Sequence, residues 1–251
     1  MKILQTLYDK SRLWFALAWI IAYCLLMSLA DLASAVIGVK KSVTFLVGAL
    51  LSAFLLCFLH KNELMGTYGI CRSSTPAKRM LFYIPIFILL TANFWNGFTV
   101  NYGIMETILY ILSMFCVGFL EEVIFRGLLF DAMAKDNFKV AIIVSSLTFG
   151  FGHIINLLNG SGTELVSNLL QVIYATAAGF MFVMIYVRTR SLIICIITHG
   201  LFNALSAFSA EASATIEMSI LSCVLLTLIT GLYAIYLAVK NQATGKSTEL
   251  K

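Results

Sequence analysis

Residues 104–130 read IMETILYILSMFCVGFLEEVIFRGLLF, an apolar run broken near its end by Glu121, Glu122 and Arg126. About 20 consecutive apolar residues let a helix cross the hydrocarbon of a bilayer, so this run is long enough to span. Ionisable side chains at membrane depth are costly and tend to be functional. The adjacent carboxylates are therefore the first place to look for chemistry.

The rest of the chain repeats the apolar part of this pattern. It is 61% hydrophobic and 12% charged, with a mean hydropathy of +0.95, and the apolar residues form long blocks. That composition excludes a water-soluble globule. Only two prolines and sixteen glycines occur in 251 residues, and the period-2 alternation of an outer-membrane barrel is missing. The class is all-α, a polytopic membrane protein. Residues 1–251 are expected to form a single integral membrane domain, with no separating linker and no internal repeat of the transporter kind.

The bilayer ruler gives eight candidate spans: Leu13–Ile37, Val43–Leu59, Met80–Val100, Ile104–Phe130, Phe138–Leu158, Leu165–Val187, Leu192–Phe208 and Ile216–Val239. Positively charged loops stay on the cytoplasmic side, and 14 of the 17 Lys and Arg residues fall in alternate connections under this count. The opposite side holds Lys40 and Lys41 with Glu106, Glu164, Glu211 and Glu217. Both termini are therefore expected in the cytoplasm, with lipids as the surroundings and no nucleic-acid partner. The basic connection from His60 to Arg79 is read as a solvated loop at the anionic leaflet. Ala33-Ser34-Ala35 loosely resembles a signal-peptidase site, but the preceding apolar run is too long for an ordinary signal sequence, so an uncleaved first span is expected. Five of the six cysteines (Cys24, Cys57, Cys116, Cys195 and Cys223) lie in apolar runs, Cys71 lies in a polar loop, and none has CxxC spacing, so they read as small packing residues.

Five ionisable residues fall at membrane depth: Glu121, Glu122, Arg126, His153 and His199. On a helix Glu122 and Arg126 are i,i+4 neighbours and can pair, while Glu121 points about 100° away. Glu122 then braces, and Glu121 is left for acid–base work. The second cluster, Phe149-Gly150-Phe151-Gly152-His153, has glycines two apart that permit a close backbone approach or a loosened helix just before the histidine. The third, His199-Gly200-Leu201-Phe202-Asn203, places an imidazole and a carboxamide on one helix face, which suits a developing oxyanion or an interhelical hydrogen bond.

Together the three clusters, Glu-Glu-x-x-x-Arg at 121–126, Phe-x-x-x-His at 149–153 and His-x-x-x-Asn at 199–203, resemble the CAAX protease and bacteriocin-processing (CPBP, or Abi) family of intramembrane proteases, which includes the type II CAAX prenyl endopeptidases. The resemblance covers roughly residues 119–203. It implies an intramembrane endopeptidase in which Glu121 and His153 act on the attacking water and His199 and Asn203 hold the oxyanion. Glu122, Arg126 and Phe149 would support that site. Members are often classed as metalloendopeptidases, and a zinc ion, if bound, would take Glu121, His153 and His199; metal-free activation is the expectation, since no HExxH is present. The implied substrate is a peptide or lipidated peptide, in CAAX-type processing or in bacteriocin or pheromone maturation and immunity, and the likeness to small bacterial members implies a bacterial plasma membrane. A non-catalytic membrane partner or an immunity protein acting by binding is the alternative, and a proton pathway is a third reading.

Overall fold

The computed structural model describes residues 2–74, 83–159, 164–210 and 214–243, with side chains as far as residue 240. Met80 to Phe82 of the third candidate span, and the loop and tail charges Lys78, Arg79, Glu211, Lys246 and Lys251, lie outside the described residues.

The chain is helical throughout its ordered elements. The short α1 (Lys2–Lys10) leads into α2 (Arg12–Ile37), which begins where the Ser11 side chain accepts the Trp14 N–H at 3.2 Å and ends at Gly38, whose φ of 77° suits a left-handed C-cap. Then come α3 (Ser42–Lys61), α4 (Ile84–Thr91), α5 (Ile104–Glu122), α6 (Phe130–Ala134) and α7 (Phe138–Gly152). The series closes with α8 (Leu165–Thr189), α9 (Ile193–Leu205) and α10 (Ile216–Ala243). Among the described residues the only strand-like pairing is an isolated bridge between Phe98 and Ser209.

Among the described residues six helical stretches are long and apolar enough to cross a membrane: Arg12–Ile37, Ser42–Lys61, Ile104–Ala134, Phe138–Leu157, Leu165–Thr189 and Ile216–Lys240. The third and seventh candidates are shorter than the sequence reading has them, appearing as apolar helices over Ile84–Phe94 and Ile193–Phe208. The cause is local. Trp95 and Asn96 form a turn, closed by the Gly97 N–H on the Phe94 carbonyl at 3.1 Å with Gly97 at φ 107°, so the helix that starts at Ile84 stops well before Val100. Asn93 and Asn101 then tie this turn to the end of α9: Asn93 Nδ2 donates to the Phe202 carbonyl at 2.9 Å, and Asn101 Nδ2 donates to those of Ala207 and Ser209 at 3.1 and 2.9 Å.

The outer faces of the long helices carry exposed Leu, Ile and Val, among them Leu29, Val36, Leu50 and Leu232. An apolar exterior of this kind is what lipid contact requires. Inside, α5 packs along α9 and α3, α7 packs along α8, and α8 along α10. Glycines set the closest crossings. A Cβ on Gly118 of α5 would lie 2.7 Å from the Gly200 amide nitrogen of α9, and one on Gly150 of α7 would lie 2.9 Å from the Thr176 Cα of α8. Small residues at such points let helix backbones meet in a membrane.

The Gly118–Gly200 crossing lies one turn from Glu121 and Glu122 and beside His199, so it fixes how far the carboxylates stand from the imidazole. Gly118→Val is expected to push α9 away, costing about 1–3 kcal/mol through overpacking and reducing any activity of the site together with stability. Thermal unfolding in detergent reads the effect; an unfolding midpoint equal to that of the unmodified protein would show that the crossing tolerates a side chain.

Candidate active site

The site begins where α5 stops being an α-helix. Residues Val123–Leu129 form a π-helical segment between α5 and α6. Such i→i+5 segments are rare and often lie at functional sites. Here the Phe130 N–H bonds back to the Phe125 carbonyl, and the Ser145 hydroxyl of α7 donates to the same oxygen at 2.8 Å. The widened turn is thus tied to its neighbour, and all seven of its residues are buried.

Glu122 immediately precedes this widened turn and Arg126 lies within it, and both are fully buried. Arg126 Nη1 donates to Glu122 Oε1 at 3.1 Å, the pair expected from i,i+4 spacing. The same Oε1 lies 2.8 Å from His199 Nδ1, so Glu122 also fixes the imidazole of α9. The Arg126 guanidinium carbon stands 4.0 Å from the Phe149 ring centroid and 5.5 Å from that of Phe182. Its Nε and Nη2 have no hydrogen-bond partner among the described residues, so aromatic faces supply much of the cation's surroundings.

Glu121 points elsewhere. Its Oε1 accepts the Tyr23 hydroxyl of α2 at 2.6 Å, and its Oε2 lies 3.5 Å from His199 Nε2. His199 therefore stands between the two glutamates, one ring nitrogen toward each.

His153 enters from the end of α7, where the helix gives way to a 3₁₀ turn over His153–Leu157. Its Nδ1 is 3.0 Å from the Phe149 carbonyl. A carbonyl only accepts, so this bond places the proton on Nδ1 and leaves Nε2 of the neutral ring as an acceptor. The two glycines divide the possibilities open from sequence: Gly150 takes the backbone of α8, whereas nothing lies within 4 Å of a Cβ on Gly152, the last α-helical residue before the turn.

Phe149 touches both imidazoles, with ring centroids 5.1 Å from His153 and 5.5 Å from His199, and Phe182 stacks on His199 at 5.6 Å. A cavity of about 40 Å³ is lined by His153, His199 and Asn203 together with Gln171, Tyr174 and Phe202. The seven residues singled out from sequence thus meet in one region: Glu121, Glu122, Arg126 and His199 in one cluster, Phe149 against it, and His153 and Asn203 lining the cavity together with His199. Glu121 is not on the cavity wall; it adjoins the wall through His199.

Two members of the site were not legible as such in the sequence reading, Tyr23 and Phe182. Tyr23 had a signal: Phe15, Trp19, Tyr23, Met27, Ala30 and Ser34 make one buried helical stripe, and a tyrosine in such a stripe needs a partner for its hydroxyl. Phe182, one aromatic among many in α8, had none.

A zinc site on Glu121, His153 and His199 does not fit this arrangement. Among the described residues no group of three His, Cys, Asp or Glu side chains is placed to hold one ion. Both nitrogens of His199 face carboxylates, and His153 Nδ1 is engaged by its own helix.

Residues 103–205 match the family described as type II CAAX prenyl endopeptidase Rce1-like. A stretch of 94 residues is 33% identical to a Bacillus subtilis (strain 168) protein named "Putative membrane peptidase YdiL", covering 37% of this chain and 33% of that protein. The chain therefore matches about a third of the length of this curated relative. No solved structure matches.

Proposed function

We propose, from the match of residues 103–205 to the type II CAAX prenyl endopeptidase Rce1-like family, that this chain is an intramembrane endopeptidase working by metal-free activation of water. The observation that carries the reading is the convergence of His153, His199 and Asn203 on one cavity beside the Glu121–His199–Glu122 cluster.

The chemistry assigns each residue a task. Water binds between Glu121 and the acceptor Nε2 of His153, and Glu121 takes its proton as oxygen attacks the peptide carbonyl carbon. The resulting oxyanion receives hydrogen bonds from His199 Nε2 and from the Asn203 carboxamide. Collapse breaks the C–N bond, and the proton held by Glu121 passes to the leaving amine. Glu122 orients His199, Arg126 holds Glu122, and Phe149 keeps the imidazoles apart. Tyr23 fixes the Glu121 carboxylate.

The substrate is a peptide or a lipid-bearing peptide, cleaved near the cytoplasmic face, with both termini of the chain on that side; the alternating distribution of Lys and Arg supports this orientation. The match of residues 103–205 to a CAAX prenyl endopeptidase family favours a prenylated C-terminal peptide over a bacteriocin precursor as the first candidate. The test is incubation of the full chain, in lipid nanodiscs, with a farnesylated CAAX peptide and with its unlipidated form, each with and without a chelator. Cleavage of the farnesylated peptide that persists in chelator is expected. Loss of cleavage on chelation, restored by zinc, would overturn metal-free activation, and binding of the peptides without cleavage would favour a non-catalytic membrane partner.

A further inference from the structure

One side of the cavity is polar in a way that the proposed chemistry does not use. Gln171 of α8 lines the cavity, and its Oε1 accepts Asn156 Nδ2 at 3.1 Å; Asn156 Oδ1 in turn accepts Asn159 Nδ2 at 3.1 Å. One turn back along α8, Asn168 Nδ2 donates to the His153 carbonyl at 2.8 Å. Three carboxamides are thus linked from the cavity wall at Gln171 to Asn159, and a fourth, Asn168, is bonded to the backbone of His153.

Packing alone does not account for this run. The N-terminal half of α8 is sharply divided: Leu165, Val166, Leu169 and Ile173 are exposed and apolar, whereas Asn168 and Gln171 sit on the opposite, inward face. Asn168 is completely buried, yet its Oδ1 has no hydrogen-bond partner among the described residues. An orphaned buried acceptor is costly, and in proteins such groups are usually met by water. The adjoining cavity of about 40 Å³ has room for about two or three water molecules.

We propose that Asn156, Asn159, Asn168 and Gln171 line a water-filled path that supplies the His153 cavity from the side of the α7–α8 connection. Asn168 Oδ1 and the Gln171 carboxamide hold the inner waters, and Asn156 and Asn159 hand them inward. Water then enters from the side opposite the proposed cytoplasmic substrate, so a bound peptide does not block its replacement. The path stands on the carboxamide geometry alone; its use in hydrolysis rests on the peptidase reading above.

Hydroxyl-radical footprinting of the full chain in nanodiscs, read by mass spectrometry, tests the path without any turnover. Hydroxyl radicals formed from bound water modify nearby His and Tyr side chains, so His153 and Tyr174 are expected to label well above the buried core residues Phe15 and Phe58. The Gln171→Leu variant, and separately Asn168→Leu, are expected to cut that labelling at least about threefold, by removing polar groups that hold the waters. Labelling of His153 and Tyr174 at the level of Phe15 in the unmodified protein would overturn the path, whatever the folding of the variants. Under the peptidase reading Gln171→Leu also lowers kcat with KM unchanged. Labelling as expected with kcat unaltered would keep the path and remove its role in the reaction.

Discussion

Glu121→Gln is expected to lower the cleavage rate by about 10²–10⁴-fold, the usual contribution of a positioned general base, while leaving the thermal midpoint close to that of the unmodified protein. A carboxamide oxygen still accepts the Tyr23 hydroxyl that now reaches Glu121 Oε1 at 2.6 Å, and the group it replaces is 13% exposed and lies outside the Glu122–Arg126 pair. What is lost is the capacity to take a proton from water. Parallel measurement of kcat and of unfolding separates the two effects, and a variant that cleaves at the original rate would remove Glu121 from the chemistry.

The neighbouring residue predicts the opposite pattern. Glu122→Ala is expected to destabilise the fold by about 3–5 kcal/mol, because it leaves the fully buried Arg126 cation unpaired. It also frees His199 Nδ1, so activity falls with stability. Replacing both charges, Glu122→Leu with Arg126→Leu, removes the orphaned cation and is expected to be more stable than Glu122→Ala alone, though inactive. Thermal unfolding of the single and double variants checks this; equal midpoints would mean that the ion pair is not what makes Glu122 necessary.

The different directions of these two carboxylates, and the pairing of Glu122 with Arg126, are legible in the sequence because they rest on helical geometry alone: a 100° step separates Glu121 from the face shared by Glu122 and Arg126. Helix class and the six long spans were legible for an equally simple reason, the length of the apolar blocks. The shortness of the third and seventh candidates was less so. Their apolar composition continues past the point where Trp95-Asn96 turns the chain and where α9 tightens into a 3₁₀ turn, and a hydropathy ruler does not weigh hydrogen bonds such as Asn93 to Phe202.

Within the site, the residue types in the three clusters announced a constellation, but not its wiring. That Glu122 serves His199 as well as Arg126 depends on the Gly118–Gly200 crossing, a contact between residues 82 positions apart. The π-helical turn at Val123–Leu129 left no sequence mark, since its stabilising partner, Ser145, comes from another helix. Tyr23 could have been suspected from its place in a buried stripe, yet only tertiary structure says that its hydroxyl meets Glu121.

The most direct test of the hydrolytic reading is to incubate the full chain in nanodiscs with a farnesylated CAAX peptide in H₂¹⁸O and weigh the products. The account predicts two fragments, the newly formed carboxyl carrying one heavy oxygen, and no fragments with Glu121→Gln. An intact peptide after incubation with the unmodified protein, or equal cleavage by both proteins, would contradict it.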